Sequence, residues 1–547
     1  VLTMHLTAHS GTWQWDGTRY RQGASWLEPY AHPAVEHCAV TDGTRTLIVV
    51  RERQPGRPGD GPGLRQLTTG EYDQARRAAG RWPLDTHVME TTPDRTTLTA
   101  GFGGVAPVYL TADANGLAGS WDMTQLRADG IQIREAARLL GLRLRYSTET
   151  AFTGIYRLTE RATAVWSHGR LSFRMPDDAR HSRARELAPG ADVLGVYKEL
   201  LAEVMDGRAY DPAAVSAHVS GGMDSAVTAT YLAQRHPGRV RTSAILLPGP
   251  EGQQQRHRRD LMRAHLPFAA QDTTVEAADW LPLGSAGCRA DGQPVSPYEE
   301  PYAEATTALL EALAQDGVRT VVTGIGGDEM VAVTSAEAAS LPVGVGRPVQ
   351  PWMGPAAVEA LEEAEEGLAP ASVVNEMTLF GLSTFAPLAL RAGVWPVHPF
   401  ADPHLIEFGE WLPRPWRSRK RLHRDRLRAL GLGEEVAEPK LRESFAPVME
   451  RALTGPALTY ADQMLADGSP LIDAGLINPD GLASVCDRLR SGVYAELYDA
   501  DLYDVLNLHM ACRTMLARPR EDAMAVVVSS GADPEPPPEK DEDDIYC

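Results

Sequence analysis

The stretch Val215-Ser-Ala-His-Val-Ser-Gly-Gly-Met-Asp-Ser-Ala226 constrains this chain more than any other. Its first five residues suit a short buried strand, and Ala226 to Arg235 reads as the helix that follows. Two adjacent glycines, Gly221 and Gly222, allow a tight turn and let backbone N–H groups come close to an anion. Ser225 is expected to open the helix, whose first turn has unpaired donors and the positive end of the helix dipole. Ser220 and Ser225 add hydroxyl donors, and Asp224 is suited to hold a Mg²⁺ ion that bridges phosphates. A lone Gly-Gly would be explained by an ordinary strand–turn–helix with a serine cap. The run from Ser220 to Ser225 adds two hydroxyls and a carboxylate to such a turn, and since no Gly-Lys-Ser/Thr follows, it is not a Walker loop.

Size and composition set the frame around that loop. A chain of 547 residues has room for two or more domains with large cores. The formal net charge of −20 argues against a general nucleic-acid binder, although a local basic patch could still hold phosphates. Cys38, Cys288, Cys486, Cys512 and Cys547 are too scattered for a zinc site or a disulfide framework, which suits reduced thiols in a cytoplasm. Residues Val1–Thr7 lack a basic region followed by an apolar core, and no apolar run is long enough for a bilayer. The expectation is a soluble cytoplasmic protein with neither a membrane nor a nucleic-acid partner.

Residues 1–185 carry short apolar runs broken by Gly, Pro, Asp and Asn, the pattern of strands and hairpins. Thr46–Arg51, Thr96–Ala100 and Val108–Thr111 read as strands, and a hairpin turn is expected at Ala114-Asn115-Gly116 before Leu117–Trp121. Ile133–Gly141 has helical spacing, Ala164–Phe173 reads as a last hairpin, and Pro176–Arg183 as a linker. From Val193 the pattern turns to α/β, starting with a helix whose apolar positions are Val196, Leu200, Leu201 and Val204. Val240–Leu247 is a nearly continuous apolar run, as in a buried parallel strand. The basic helix Gln255–His265 is expected to be mainly a solvated face. Tyr302–Gln315 reads as helix and Val318–Thr323 as a strand ending in Gly324-Ile-Gly-Gly-Asp-Glu-Met330. Loops at the carboxyl ends of parallel strands converge, so those after Val219, Leu247 and Thr323 are expected to meet. Asp328 would then face Asp224, giving two carboxylates around one Mg²⁺.

These segments carry a resemblance to a known family. Ser220–Ser225 resembles the pyrophosphate loop of ATP pyrophosphatases, which split ATP between its α and β phosphates. Thr323-Gly-Ile-Gly-Gly-Asp-Glu329 resembles the Ser-Gly-Glu-Gly-Ser-Asp-Glu of asparagine synthetases. Gly101–Leu110 with Gly119–Leu126 resembles their amino-terminal glutamine amidotransferase domain. Gly393–Asp402 is similar to their Pro-Phe-Leu-Asp segment, in a form closer to β-lactam synthetases, and Glu438-Pro-Lys440 to their Arg-Pro-Lys. The resemblance covers nearly the whole chain except its acidic end. It implies an α/β protein: a degenerate Ntn-hydrolase-like α+β glutaminase domain over 1–185, a parallel-sheet ATP-pyrophosphatase domain over 186–520, and an acidic, Pro-rich, disordered tail over 521–547. It also implies that Val219 and Ile245 flank adenine beside Thr323 and Gly324, and that Ser220, Gly221, Gly222, Asp224 and Ser225 hold pyrophosphate. Asp224 and Asp328 would ligate Mg²⁺, and Lys440 would be the catalytic residue that stabilises charge as the acyl-adenylate is attacked.

Several departures qualify what that site does. Ile325 stands where the family has Glu, or Tyr in β-lactam synthetases, and isoleucine cannot accept a proton. His398 is a candidate base, with packing beneath the site as the commoner role. Arg414–Arg428 is the densest basic run, part helix surface and part a suggested contact for ATP phosphates or an acidic substrate. The family's glutaminase uses a cysteine at the mature amino terminus, whereas this sequence starts Val1-Leu2-Thr3-Met4 and its first cysteine is Cys38. A thiol within the domain cannot use its own α-amino group as base, so a dead glutaminase is expected. The expected function is an ATP-dependent, AMP-forming amide ligase that couples a small-molecule or peptide carboxylate to an amine, as β-lactam synthetases and lasso-peptide cyclases do. The peptide branch would bring a precursor peptide and a partner protease. A glutamine-hydrolysing asparagine synthetase and a lapsed nucleotide-binding regulator are the alternatives.

Overall fold

Alternation of apolar residues at every second position builds the first part of the chain. In Val35–Thr41 and Thr46–Glu52, Ala39, Ile48 and Val50 turn to one side, while Cys38, Val40, Leu47 and Val49 turn to the other. These strands belong to one seven-stranded sheet; a second seven-stranded sheet contains Leu2–Leu6, Val108–Ala112 and Leu117–Ser120. The inner faces share one core, with Met4, Leu27 and Leu110 from one sheet and Val50, Met89 and Trp166 from the other. Helix Thr69–Ala79 covers the outer face of the first sheet through Tyr72 and Ala79. Helix Ile133–Leu140 covers that of the second through Ala136 and Leu140 against Tyr109. The layers are therefore helix, sheet, sheet, helix. The last hairpin pairs Thr163–Ser167 with Arg170–Arg174 across His168 and Gly169, whose φ values of 51° and 72° are those a tight hairpin turn requires.

The computed structural model describes residues 1–516 apart from 8–10, 58, 60, 103–105, 115, 143, 286–288, 290–291, 333–348 and 363–367. The acidic tail, Cys288, Cys547, Asn115, part of Gly101–Leu110 and the ends of the acidic stretch Ala338–Gly367 lie outside the described residues. No helix among those described is long and apolar enough to cross a membrane.

Regular structure pauses after Arg174 and resumes at α1, Val193–Asp206. Its buried face is Val193, Tyr197, Leu201 and Val204, so Val196 is exposed where the spacing suggested burial. Beyond it, five strands form one parallel sheet: β1 Val215–His218, β2 Arg241–Leu246, β3 Asp272–Glu276, β4 Thr320–Val322 and β5 Trp395–Val397. Their spatial order is β3-β2-β1-β4-β5. The chain winds outward from β1 to β3, then returns to β4 on the other side. That reversal leaves a crevice at the carboxyl ends of β1 and β4, the place where open α/β sheets bind ligands. Helices α2 Met223–Arg235, α3 Gly249–His265, α4 Ala303–Gln315 and α5 Glu376–Arg391 accompany the sheet.

The two parts are bonded together. Arg391 at the end of α5 forks onto Asp122 at 2.7 and 2.9 Å, and the Tyr30 hydroxyl donates to the Leu390 carbonyl at 2.7 Å. Between them the buried Arg157 guanidinium lies 4.8–5.9 Å from the rings of Tyr109, Tyr146, Tyr298 and Phe380. The carboxy-terminal helices, among them Pro456–Asp467, Pro479–Arg490 and Leu502–Met515, share a core with Ile133–Leu140 and Tyr109. That core also takes in Leu283, Tyr298, Trp352 and Leu361, so these helices pack against both parts of the chain.

Candidate active site

The loop after β1 is shaped by a backbone that only glycine adopts easily, with φ of +90° at Gly221. Helix α2 begins at Met223 with Gly222 as its cap, so Ser225 is the third helical residue and not the cap expected from the sequence. The Ser225 hydroxyl is 2.9 Å from that of Ser220, and Ser220 Oγ also accepts the Gly222 N–H at 3.2 Å. The two hydroxyls, Gly222, Asp224, Ile245, Thr323 and Gly324 line one cavity of about 510 Å³. Val219 is different: its side chain is fully buried in the core beneath.

Helix α3 holds the loop from below. Gln255 Nε2 donates to the Ser220 carbonyl at 2.6 Å and to that of Ile245 at 2.9 Å, while its Oε1 accepts the Leu247 N–H at 2.8 Å. Arg258 donates to the Gly221 carbonyl and Arg259 to that of Val219. Arg259 is bridged in turn to Asp272 at 2.6 and 2.8 Å. Both arginines are buried, which corrects the expectation that this helix is mainly a solvated face. The reason is that carbonyls at the ends of buried strands need donors, and the helix supplies them.

The loops after β1 and β4 meet closely. A Cβ on Gly324 would lie 2.5 Å from Ser225 N and 2.9 Å from the Asp224 carbonyl carbon, and one on Gly327 would lie 2.6 Å from Asp224 Cβ. These are backbone or fixed atoms that cannot step aside. Gly324→Ala is therefore expected to weaken ATP binding by more than tenfold while circular dichroism stays at the parent level. An unchanged ATP dissociation constant by calorimetry would mean that the loop spacing does not matter.

Asp224 and Asp328 come together on one ammonium, that of Lys420, at 2.6 and 2.7 Å. Burial works against the Lys420 charge, yet the Asp224 and Asp328 carboxylates together raise its pKa above the ordinary lysine value. Lys420 and Arg419 before it both have left-handed backbones, with φ of 55° and 54°. Such strain at non-glycine residues costs roughly 1–3 kcal/mol each and concentrates at functional sites. Here it aims Lys420 out of the basic run. Three other bases of that run serve the fold: Arg417 donates to the Leu412 carbonyl at 3.0 Å, and Arg424 and Arg428 bind Glu438. Lys420 is the base of Arg414–Arg428 that meets the two carboxylates.

Behind Asp224, His423 is fully buried, with Nδ1 3.0 Å from the Tyr197 hydroxyl and Nε2 3.4 Å from Asp224 Oδ1. Burial lowers its pKa despite Asp224, so it is a neutral prop. Asp224 Oδ1 is buried and makes no hydrogen bond. A hard cation would satisfy that oxygen, and two carboxylates completed by phosphate oxygens are a normal Mg²⁺ environment. The residues present fit that ion.

Ile325, Gly381, Phe385 and Phe445 also line the cavity. Thr323 is buried, its hydroxyl 2.7 Å from His398 Nδ1. Burial drives His398 down to about 3, nearby Arg208 adding to the effect, and its ring meets Phe385 edge-on. It packs beneath the site. Lys440 has an exposed side chain and does not line the cavity; Gln254 Oε1 accepts its N–H and that of Leu441, each at 2.9 Å. Three residues on, Glu443 pairs with Arg258 at 2.8 Å and stands over Gly221. Burial pushes its carboxyl up to about 7, partly offset by Arg258 and Lys420.

A glycine loop at a sheet reversal, two facing carboxylates and a lysine between them make up the candidate site. The chain matches the asparagine synthase family over residues 196–513, more than half its length, and belongs to that family. Its members are ATP-dependent carbon–nitrogen ligases that use ATP with Mg²⁺. No curated protein matches the chain at a significant level. Sequence reasoning passed over Lys420, His423, Gln255 and Arg258 as individual site residues. Lys420 was visible only as one base in a run of them.

Proposed function

We propose that this protein adenylates a carboxylate at the expense of ATP, releasing pyrophosphate, and couples the acyl-adenylate to an amine, closing a ring in a small amino acid or a peptide. What supports this reading is the convergence of Ser220, Ser225, Asp224, Asp328 and Lys420 at the carboxyl ends of β1 and β4. Loop N–H groups and the two serine hydroxyls would receive phosphate oxygens while the carboxylate oxygen attacks the α-phosphorus and pyrophosphate leaves. Asp224 and Asp328 would hold Mg²⁺, which supplies positive charge to the departing pyrophosphate. Lys420 bonds the same two carboxylates, so when they hold an ion its ammonium would be released toward phosphate. The apolar wall of Ile325, Phe385 and Phe445 keeps water from the acyl-adenylate.

The amino-terminal layers of helix, sheet, sheet and helix agree with a degenerate Ntn-hydrolase domain. Cys38 faces helix Thr69–Ala79 on the outer side of its sheet, away from the space between the sheets. That argues against glutamine as the nitrogen source. The expected result is ATP–pyrophosphate exchange that depends on an added carboxylate, with no glutamate released from glutamine. Glutamate release blocked by thiol alkylation would restore the asparagine synthetase reading. ATP binding without exchange for any carboxylate would make the protein a nucleotide-binding regulator.

A further inference from the structure

Ile325 leaves the amine-coupling step without a proton acceptor at the position where the family provides one. The same cavity wall contains another acid. Glu300 lines the cavity with Ile325, just ahead of α4. Its backbone is clamped, since its carbonyl accepts Arg289 Nη2 at 2.9 Å and the Tyr503 hydroxyl at 3.2 Å. Its carboxylate accepts the Thr384 hydroxyl at 3.2 Å. Thr384 lies three residues beyond Gly381 on α5, and a Cβ at Gly381 would touch Ile325 Cγ2 at 3.6 Å. Ile325, Gly381 and Glu300 thus line the cavity together, with Thr384 linking the Gly381 helix to Glu300.

From this juxtaposition, and resting on the ligase reading above, we propose that Glu300 is the proton acceptor for the attacking amine. A proton of the amine passes to a Glu300 carboxylate oxygen, and the nitrogen lone pair so freed forms the bond to the acyl carbon. The tetrahedral adduct then breaks its carbon–oxygen bond to the α-phosphate, and AMP leaves with that electron pair.

The other candidates in the cavity serve less well. His218 also lines it, but burial and then Arg259 lower its pKa to about 4, so it holds a proton poorly. Glu443 stands against the glycine loop beside Arg258, where phosphates would oppose its charge. Glu300 is raised by burial, with Thr384, the Tyr302 N–H and Arg289 opposing and Glu299 assisting. Raising a carboxyl toward neutrality is what a general base at physiological pH needs. Of the other acids nearby, Glu304 is bound by Arg289 at 2.6 and 2.7 Å, and Glu299 lies 3.8 Å from Arg391.

The test uses the full chain, with the proteinogenic amino acids and short Asp- or Glu-containing peptides as carboxylates. Two nucleophiles are compared: hydroxylamine, largely neutral at pH 7, and methylamine, which is protonated there. Glu300→Gln should keep carboxylate-dependent ATP–pyrophosphate exchange and hydroxamate formation within about threefold. Its amide formation with methylamine should fall about 10²–10³-fold, within the range of general base catalysis. The limb of the rate that rises with pH should flatten in Glu300→Gln, and Glu300→Asp should recover part of the rate. Parent-level amide formation in Glu300→Gln overturns the proposal, and so does an equal loss of exchange and coupling. Absence of exchange in the unmodified protein sinks the ligase reading itself, and the base with it.

Discussion

Asp224→Ala is expected to abolish carboxylate-dependent ATP–pyrophosphate exchange, by roughly 10³-fold or more, while the protein stays folded. A loss of that size is about 4 kcal/mol of transition-state stabilisation, within the several kcal/mol that a metal-held charge supplies. The fold should survive because Asp224 serves the cavity and no core. Lys420 keeps its 2.7 Å contact to Asp328, and His423 keeps its bond to Tyr197. The pair to Lys420 is partly open to solvent, so its loss costs the fold on the order of 1 kcal/mol. Asp224→Asn should be nearly as inactive, since a neutral amide fills the space without the charge. Exchange and thermal unfolding, followed side by side, decide the matter. An alanine variant that exchanges at the parent rate would remove Asp224 from the phosphate chemistry.

The reading of the sequence reached the loop because its signal is local. Ser220 to Ser225 are consecutive, and the backbone needs of a phosphate loop fall on Gly221 and Gly222 themselves. The meeting of Asp224 with Asp328 was legible through strand order, since apolar runs at Val215 and Val318 imply neighbouring parallel strands whose loops share one edge. Arg258 and Arg259 were not legible. Charged residues on a helix read as solvated, and what buries these two is the demand of loop carbonyls forty residues earlier. Lys420 was hidden for another reason. Its side chain departs from the basic run because two successive residues adopt left-handed backbones, and no spacing rule announces that. Glu300 lay outside every motif, and only the packing of α4 against α5 brings it to the wall that holds Ile325.

Lys440→Ala is expected to lower kcat about 10²–10³-fold, the usual cost of losing one preorganised donor, while ATP affinity changes little. In the proposed reaction its ammonium would meet more negative charge as the acyl-adenylate is attacked than in the ground state, so its contribution would be differential. The segment around it is held in place, although the Lys440 side chain itself lies outside the cavity lining. Gln254 accepts the N–H groups of Lys440 and Leu441 and donates to the Leu441 carbonyl at 2.9 Å, fixing the backbone while the side chain stays exposed. Glu438, where the family has arginine, is bound by Arg424 and Arg428 and anchors the same segment to helix Arg421–Ala429. Lys440→Arg should recover only part of the rate, because a planar guanidinium presents its charge with a different geometry. The contrast is Lys420, whose ammonium already sits on Asp224 and Asp328; Lys420→Ala should weaken binding of ATP with Mg²⁺. Nucleotide affinity and single-turnover product formation, measured for Lys440→Ala, Lys440→Arg and Lys420→Ala, separate the two lysines. If Lys440→Ala loses ATP binding yet turns over normally at saturating ATP, Lys440 is a nucleotide clamp. If neither quantity moves, Lys420 alone offsets the charge on both phosphate and acyl oxygens.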